Sequence, residues 1–328
     1  MSKRSLGTTG IELSELSFGV SSLGNLYRAV SDEEAVDVLD AVWNAGIRYM
    51  DVAPYYGFGL AETRLGQYLQ GKRHEDFVVS TKVGRILEPV DAANVPDFGF
   101  VDPLQNCPRF DYSYDGIMRS YESSLARMPD APIKILYIHD IGELTHGKDE
   151  NTRHIRDLLK GGFKALDELK STTDVDAIGL GVNEVEICLT LASEYDLDAL
   201  LLAGRYTLLD RSAETQLLDV CRKRDIGLVI GGVFNSGILA TGAVEGACYD
   251  YEPATPEICK KVDALEAVCQ DHGVKLASAS LQFALHSDLV ASVLVGTGRA
   301  SSVQRSVDGI NEPIPDALWS QCDEIARS

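Results

Sequence analysis

Eight short apolar runs, segments of helical spacing between most of them, and no composition break or Ser/Pro-rich linker anywhere in 328 residues predict an α/β fold. Strands alternating with helices imply a parallel sheet covered by helices. Eight strands in one uninterrupted chain favour closure into a barrel over an open doubly wound sheet. A barrel of that kind takes roughly 250 residues and tolerates insertions. The expectation is a single domain over residues 1–328, a (β/α)8 TIM barrel with an N-terminal β-hairpin and long loops at its C-terminal face.

Residues 3 to 13 read as the hairpin: Lys3 to Leu6, a Gly7-Thr8-Thr9-Gly10 turn, then Ile11-Glu12-Leu13 in period-two alternation. The apolar runs follow at Leu16 to Val20, Ile47 to Met50, Phe77 to Ser80, Ile135 to Ile138, Ala177 to Val182, Ala199 to Leu202, Gly227 to Ile230 and Val290 to Val295. Helical spacing marks Asp32 to Ala45, Ala61 to Leu69, Asp115 to Met128, Phe163 to Thr172, Val185 to Tyr195, Ala213 to Arg224 and Pro256 to His272, with a second stretch, Leu276 to Leu285, in the last gap. Arg85 to Asp111 and Val233 to Pro253 are long and poorly periodic. Such loops in compact domains are usually functional, so these two segments and the tail after Asn311 are candidate lids or specificity loops.

The chain carries 30 basic and 50 acidic residues, a formal net charge of -20. That field repels phosphate backbones and anionic membrane surfaces, which argues against nucleic-acid or membrane partners. The seven cysteines, Cys107, Cys188, Cys221, Cys248, Cys259, Cys269 and Cys322, form an odd, scattered set with no Cys-x-x-Cys pair and read as reduced thiols. The N-terminus lacks an apolar leader core, and no stretch approaches the roughly 20 apolar residues of a membrane span. A cytoplasmic location is expected, with homo-oligomerisation left open.

Four ionisable residues, Asp51, Tyr56, Lys82 and His139, stand at or just past the ends of apolar runs. In a parallel barrel the loops after the strands share one face, so these residues converge there. Each also has a plain structural reading: Asp51 as a loop anchor or helix cap, Lys82 as an exposed strand-end lysine, His139 as a satisfied core histidine. Pairing raises the functional reading. A tyrosine titrates near 10 and exchanges protons poorly near neutrality unless a cation stabilises its phenolate. Lys82 supplies that cation, and Asp51 holds the lysine charged and aimed.

Other chemistries lack their signatures. His74, His146, His154, His272 and His286 show no metal-ligand spacing, so no metal is expected. There is no Gly-x-Ser-x-Gly elbow and no cysteine in a nucleophile context. No Gly-x-Gly-x-x-Gly follows an early strand, so any dinucleotide is held by something other than a Rossmann cradle. A phenol tuned by lysine beside an imidazole remains. That set moves a proton at a carbonyl or alcohol oxygen while another group moves a hydride.

Over nearly its whole length the sequence resembles the aldo-keto reductase superfamily, α/β barrels that bind nicotinamide cofactors without a Rossmann fold. The carriers are Met50-Asp51-Val52-Ala53-Pro54-Tyr55-Tyr56-Gly57 with Ala61-Glu62 and Leu65-Gly66, then Thr81-Lys82, Ile138-His139-Asp140 and Ile178-Gly179-Leu180-Gly181-Val182-Asn183. The resemblance implies Tyr56 as general acid/base, Lys82 lowering its pKa, Asp51 pairing with Lys82, and His139 orienting the substrate oxygen. Tyr55 is the competing tyrosine and a substrate contact. Tyr56 is preferred because it directly precedes Gly57.

For the cofactor, the resemblance implies that Asn183 meets the nicotinamide carboxamide. The chain departs from the common pattern in having Asn183-Glu184 in place of Ser-Asn, and in lacking a glutamine near Ala203 or Gly204. The family's ring-stacking tyrosine is missing from Gly231-Gly232-Val233-Phe234, leaving Phe234 as the platform. Val295-Gly296-Thr297-Gly298-Arg299-Ala300-Ser301-Ser302 resembles the segment holding the cofactor's phosphates and ribose, and Gly/Ser/Thr amides at a helix start suit phosphate oxygens. Gly296 and Ser302 stand where members selective for the 2'-phosphate carry cations, and Arg299 and Arg305 are the cations nearby. NAD or NADP is implied, with NAD preferred.

Asp111-Tyr112-Ser113-Tyr114-Asp115 with Arg119-Ser120, and Gly181-Val182-Asn183-Glu184, resemble a subgroup that includes D-threo-aldose 1-dehydrogenases (L-fucose dehydrogenases), L-galactose dehydrogenases and a pyridoxal 4-dehydrogenase. Its members oxidise a cyclic hemiacetal to a lactone. Ser113 and Asp115 also read simply as helix-capping residues. The expected function is NAD(P)-dependent oxidation of an aldose at its anomeric carbon, with substrates of the L-fucose, D-arabinose or L-galactose type. The alternatives are a pyridoxal 4-dehydrogenase or general aldehyde reductase and, in another class, a nicotinamide-binding regulatory subunit akin to potassium-channel β subunits.

Overall fold

The computed structural model describes residues 1–327; Ser328, the last residue of the expected domain, lies outside them. The strands are β1 (Lys3–Ser5), β2 (Glu12–Ser14), β3 (Leu16–Gly19), β4 (Tyr49–Asp51), β5 (Val78–Val83), β6 (Arg85–Pro89), β7 (Asn106–Phe110), β8 (Ile133–His139), β9 (Ala177–Val182), β10 (Ala199–Ala203), β11 (Gly227–Gly231), β12 (Cys248–Tyr249), β13 (Glu252–Pro253) and β14 (Val290–Val295). The helices are α1 (Asp32–Asn44), α2 (Leu60–Leu69), α3 (Tyr114–Arg127), α4 (Glu143–Asp157), α5 (Phe163–Thr172), α6 (Val185–Glu194), α7 (Leu217–Lys223), α8 (Ile238–Thr241), α9 (Pro256–Asp271), α10 (Leu276–Phe283), α11 (Ala300–Ile310) and α12 (Asp316–Arg327).

Among the described residues, β3, β4, β5, β8, β9, β10, β11 and β14 pair in parallel in that order, and β14 returns to β3 to close the barrel. Parallel strands covered on both faces read as continuous apolar runs, and β9 is buried at all its positions, Ala177 to Val182. Helix starts follow local capping chemistry. Ser31 and Glu34 form a capping box at α1, whose buried stripe is Ala35, Val38, Leu39 and Val42. Thr255 caps α9, which begins on Pro256. Antiparallel β1 and β2 form the expected hairpin, and Leu6, Ile11 and Leu13 pack into the barrel interior with Tyr49, Tyr137, Leu201 and Val229. A larger apolar layer lies between barrel and helices.

Register fixes the functional end of the barrel. Asp51 pairs with Ser80, two residues before Lys82, and Lys82 pairs with Tyr137, two residues before His139, so the three site candidates step two residues at a time along the C-terminal ends of adjacent strands. The segment Arg85 to Asp111 folds back as the antiparallel β6–β7 pair, and Val233 to Pro253 contains α8 and the small β12–β13 pair.

One sequence expectation needs correction, and one element was not anticipated. The tail after Asn311 is no loop: it forms α12, whose Leu318, Cys322 and Ala326 recur every four residues and are buried, with the helix lying on α9. Between β8 and α5, a stretch for which the sequence reading named no element, lies α4, two helical pieces joined at Gly147, whose φ of 69° and ψ of 165° are non-helical and open to glycine.

Candidate active site

The site is built from a salt bridge at the barrel's rim. Lys82 and Asp51 are both buried, and the lysine Nζ donates to Asp51 Oδ2 at 2.6 Å, to the Val52 carbonyl at 3.0 Å and to the Tyr56 hydroxyl at 3.2 Å. Those three bonds use every hydrogen of an ammonium group. Tyr55 is not among its partners. Burial disfavours the Lys82 charge, yet Asp51 and the Tyr56 hydroxyl outweigh it and raise the lysine above its ordinary value.

Behind the pair a hydrogen-bonded row runs into the barrel. Ser80 Oγ donates to Asp51 Oδ1 at 2.7 Å, Tyr49 OH meets Ser80 Oγ at 2.9 Å, and Tyr137 OH meets Tyr49 OH at 3.3 Å. Both carboxylate oxygens of Asp51 are therefore engaged. Burial, opposed by Lys82 and Ser80, pushes the Asp51 carboxyl upward. From the outer side, buried Glu62 on α2 accepts from Thr81 Oγ1 at 2.6 Å and from Arg127 Nε at 2.6 Å, so α2 and α3 clamp the residue preceding Lys82.

Tyr56 reaches Lys82 through an unusual turn. Gly57, Phe58 and Gly59 take successive positive φ values of 63°, 55° and 105°, which reverses the chain directly after the tyrosine. Here backbone meets backbone: a Cβ on Gly24 would fall 2.6 Å from the Tyr56 carbonyl carbon, and one on Gly57 2.5 Å from the Gly24 oxygen. Only glycine fits at both places. Sequence reasoning expected Lys82 to lower the Tyr56 pKa. The lysine does pull it down, but burial is the larger effect and the hydroxyl is pushed up to about 12.

The His139 ring lies edge-on to both tyrosines, with centroids 5.9 Å from Tyr56 and 6.2 Å from Tyr55. Burial, then the charges of Arg85 and Lys82, hold its pKa well below 6.5, so the imidazole is neutral at neutral pH. The Tyr112 hydroxyl donates to the His139 carbonyl at 2.7 Å and fixes the strand end. Tyr55 lies under the Arg85 guanidinium, 3.9 Å from its ring centroid, and joins an aromatic wall with Phe58, Phe98 and Phe100.

Of the cofactor candidates, Phe234, Gly296, Thr297, Ser302 and Arg305 line one cavity of about 620 Å³. Arg305 donates to Ser302 Oγ at 2.6 Å, and Lys275 adds a second cation to the lining. A Cβ on Gly296 would meet the Gly19 carbonyl at 3.1 Å, a crowding that favours glycine there. Two cations, hydroxyls and the start of α11 fit the phosphates of a dinucleotide. Gly298 and Arg299 do not line that cavity: the Gly298 carbonyl accepts from Arg28 at 2.8 Å, and the Arg299 amide donates to Thr297 Oγ1 at 3.2 Å. Asn183 lines a different cavity of about 460 Å³ with Asp140, Arg205 and Tyr251; its carbonyl accepts from Arg205 at 2.7 Å.

Sequence reasoning missed Ser80, Arg85, Asp140 and Lys275 as site members. Ser80 had a readable signal, since it lies two residues before Lys82 on one strand and so shares its face. Arg85 and Lys275 gave none, because their places depend on how distant loops fold.

The chain belongs to the aldo/keto reductase family, whose model matches residues 15–327, and it is an oxidoreductase of that family. It is 42% identical over 328 residues to the pyridoxal 4-dehydrogenase of Microbacterium luteolum, covering 97% of this chain and 95% of that one. It is 38% identical over 325 residues to the D-threo-aldose 1-dehydrogenase of a Pseudomonas species, covering 96% and 94%. Among solved structures, the fold matches an aldo-keto reductase of Bacillus halodurans in its holo form with a TM-score of 0.77 at 24% identity, covering 99% and 96%.

Proposed function

We propose that this chain, acting as one barrel domain, is a NAD(P)-dependent dehydrogenase that oxidises the anomeric carbon of a cyclic aldose hemiacetal to a lactone. Aldoses of the L-fucose, D-arabinose or L-galactose type are its substrates. The observation that carries this reading is the Asp51–Lys82–Tyr56 hydrogen-bonded set beside a neutral His139. Nicotinamide, when bound, supplies the hydride acceptor. Tyr56 takes the proton of the anomeric hydroxyl, and Lys82 stabilises the phenolate needed for that. Asp51 keeps Lys82 charged and aimed, while His139 orients the reacting oxygen. Asn183 and Phe234 would meet the nicotinamide, with Gly296, Thr297, Ser302 and Arg305 on the phosphates and ribose. NAD is preferred over NADP, because the cavity's cations are few.

A second reading, pyridoxal as the hemiacetal substrate, is favoured by the aromatic wall of Tyr55, Phe58, Phe98 and Phe100, a surface that suits a flat ring. The higher identity to the pyridoxal enzyme supports it too. Turnover of L-fucose, D-arabinose, L-galactose and pyridoxal with each cofactor separates the readings. Tyr56→Phe is expected to lose about 10²–10⁴-fold in turnover with cofactor binding intact. A Tyr56→Phe chain with full turnover would sink the mechanism.

A further inference from the structure

Two tyrosines that the proposed mechanism does not use stand exposed on loops at the functional end of the barrel. Tyr27, after β3, is 73% exposed, and Tyr251, after β11, is 67% exposed. Both take left-handed backbone, with φ of 58° and 67°. That region suits glycine or asparagine and disfavours a bulky aromatic residue. Neither ring gains much burial in return, so packing does not account for either conformation.

The surrounding chain nevertheless holds both in place. Tyr251 is the second residue of the two-residue turn between β12 and β13, and Asp250 before it also has a positive φ, 50°, in a kind of turn that favours Asn-Gly. Arg205 donates to both Asp250 carboxylate oxygens, at 2.9 and 2.7 Å, and to the Asn183 carbonyl, which ties the turn to the end of β9. The Tyr251 amide donates to Ser236 Oγ at 2.9 Å. On the other loop, the Tyr27 amide donates to the Gly99 carbonyl at 2.8 Å, and a Cβ on Gly99 would meet the Tyr27 ring at 3.2 Å. Tyr27 thus lies against the segment that carries Phe98 and Phe100 and extends the aromatic wall outward.

Barrel order sets the two rings apart. Tyr251 lines a cavity with Asp140 and Asn183, the residues just past β8 and β9. In the closed order β9 is four strands from β3 in either direction, so Tyr251 and Tyr27 stand on opposite sides of the mouth. Loss of water pushes the Tyr251 hydroxyl up, Asn183 pulls it down, and Asp140 and Tyr27 push it up again, which puts the hydroxyl end inward and within electrostatic reach of Tyr27. We propose that Tyr27 and Tyr251 form an aromatic clamp that takes the substrate's ring between them while its reacting carbon lies beside Tyr56 and His139. Opposed aromatic faces suit a ring with two flat or C–H-lined faces and give an open-chain aldehyde little to hold. Strained residues held by their surroundings are a recurrent feature of ligand clamps. This inference rests on the hemiacetal-oxidising reading given above.

The test uses Tyr251→Gly, which removes the ring and gives the turn a residue its backbone favours, with Tyr27→Gly as its counterpart and Tyr251→Phe to keep the ring. Oxidation of pyridoxal and L-fucose is compared with reduction of glycolaldehyde, a two-carbon aldehyde, by NADH. For whichever ring substrate the wild type oxidises faster, each glycine variant is expected to lower kcat/KM about tenfold or more. The ratio of that kcat/KM to the one for glycolaldehyde is expected to fall at least about fivefold, and Tyr251→Phe to keep most of it. The urea midpoint of Tyr251→Gly is expected to stay level with wild type or rise. Equal losses on ring substrate and glycolaldehyde, or a lowered midpoint, would mean that the ring supports the fold and would overturn the clamp. Cofactor binding weakened by the same factor, read by fluorescence titration with NADH, would put Tyr251 on the nicotinamide and overturn it as well. If the wild type oxidises neither ring substrate, the broader functional reading fails by itself. Calorimetric titration of the NAD-loaded protein with pyridoxal and with L-fucose then decides the clamp: tighter binding of either to wild type than to Tyr251→Gly supports it, and equal or absent binding overturns it.

Discussion

Replacing Asp51 with asparagine isolates the charge that organises the site, because the side chain keeps its shape and loses only its carboxylate. In the native chain the buried Lys82 ammonium is balanced by Asp51 at 2.6 Å, with both side chains 2% exposed. Removing one member of a buried pair leaves an uncompensated charge, at a cost of roughly 3–5 kcal/mol. A domain unfolding near 60 °C loses about 2–4 °C per kcal/mol, so the midpoint is expected to fall by roughly 6–20 °C at pH 7. The sign with pH is specific. In the wild type the folded-state pKa of Lys82 is raised, so the pair's stabilisation is present below the unfolded lysine value near 10.4 and is lost as pH rises through the folded value. In Asp51→Asn, burial acts without its main opponent and drives the Lys82 pKa down. The unfolded variant then binds a proton that the folded one refuses, and its stability rises with pH up to about 10.4. Calorimetric melts of both proteins from pH 7 to pH 10 should show the gap narrowing. A variant melting within about 2 °C of wild type at pH 7, or a gap that does not narrow, would refute the assignment of a charged, buried pair.

Gly24→Ala should disturb the turn presenting Tyr56, since its methyl would fall 2.6 Å from the Tyr56 carbonyl carbon; kcat/KM is expected to drop at least about tenfold, and an unchanged value would show that the turn yields without consequence. Because Tyr56 is pushed up to about 12, the phenolate fraction grows about tenfold per pH unit, and kcat/KM for oxidation should climb from pH 7 to pH 10; a flat profile would count against Tyr56 as the base. His139 is held well below 6.5, so beneath that pH the unfolded chain takes a proton that the folded chain refuses. Stability should fall by up to about 1.4 kcal/mol per unit as pH drops, and denaturant titrations at pH 6.5 and 5 should show a smaller loss in His139→Asn.

The strands were legible because parallel barrel strands are buried on both faces and must be apolar throughout, as Ala177 to Val182 shows. The helix α4 was harder to read, because Gly147 interrupts its pattern and its buried face is thin. The tail after Asn311 was misread because its buried positions are three residues spaced four apart, visible as a stripe only once α9 lies beneath them. Asp51, Tyr56, Lys82 and His139 were legible through chemistry: a phenol needs a cation, and the cation needs a carboxylate. Gly298 and Arg299 belong to the same motif as Gly296 and Ser302, but only the latter pair lines the cavity that holds Phe234 and Arg305.

By itself the sequence determined the eight-stranded parallel architecture, the hairpin before it and the set of groups able to move a proton, because apolar runs and residue chemistry are local properties of the chain. Only the tertiary structure decided the balance between burial and charge at Tyr56, the route of the row from Lys82 through Asp51 and Ser80 to Tyr49, and the joining of Arg85 to Asp140 beside His139. Those outcomes depend on desolvation and on distances of a few ångströms between segments tens of residues apart, and such quantities exist only after the barrel has closed.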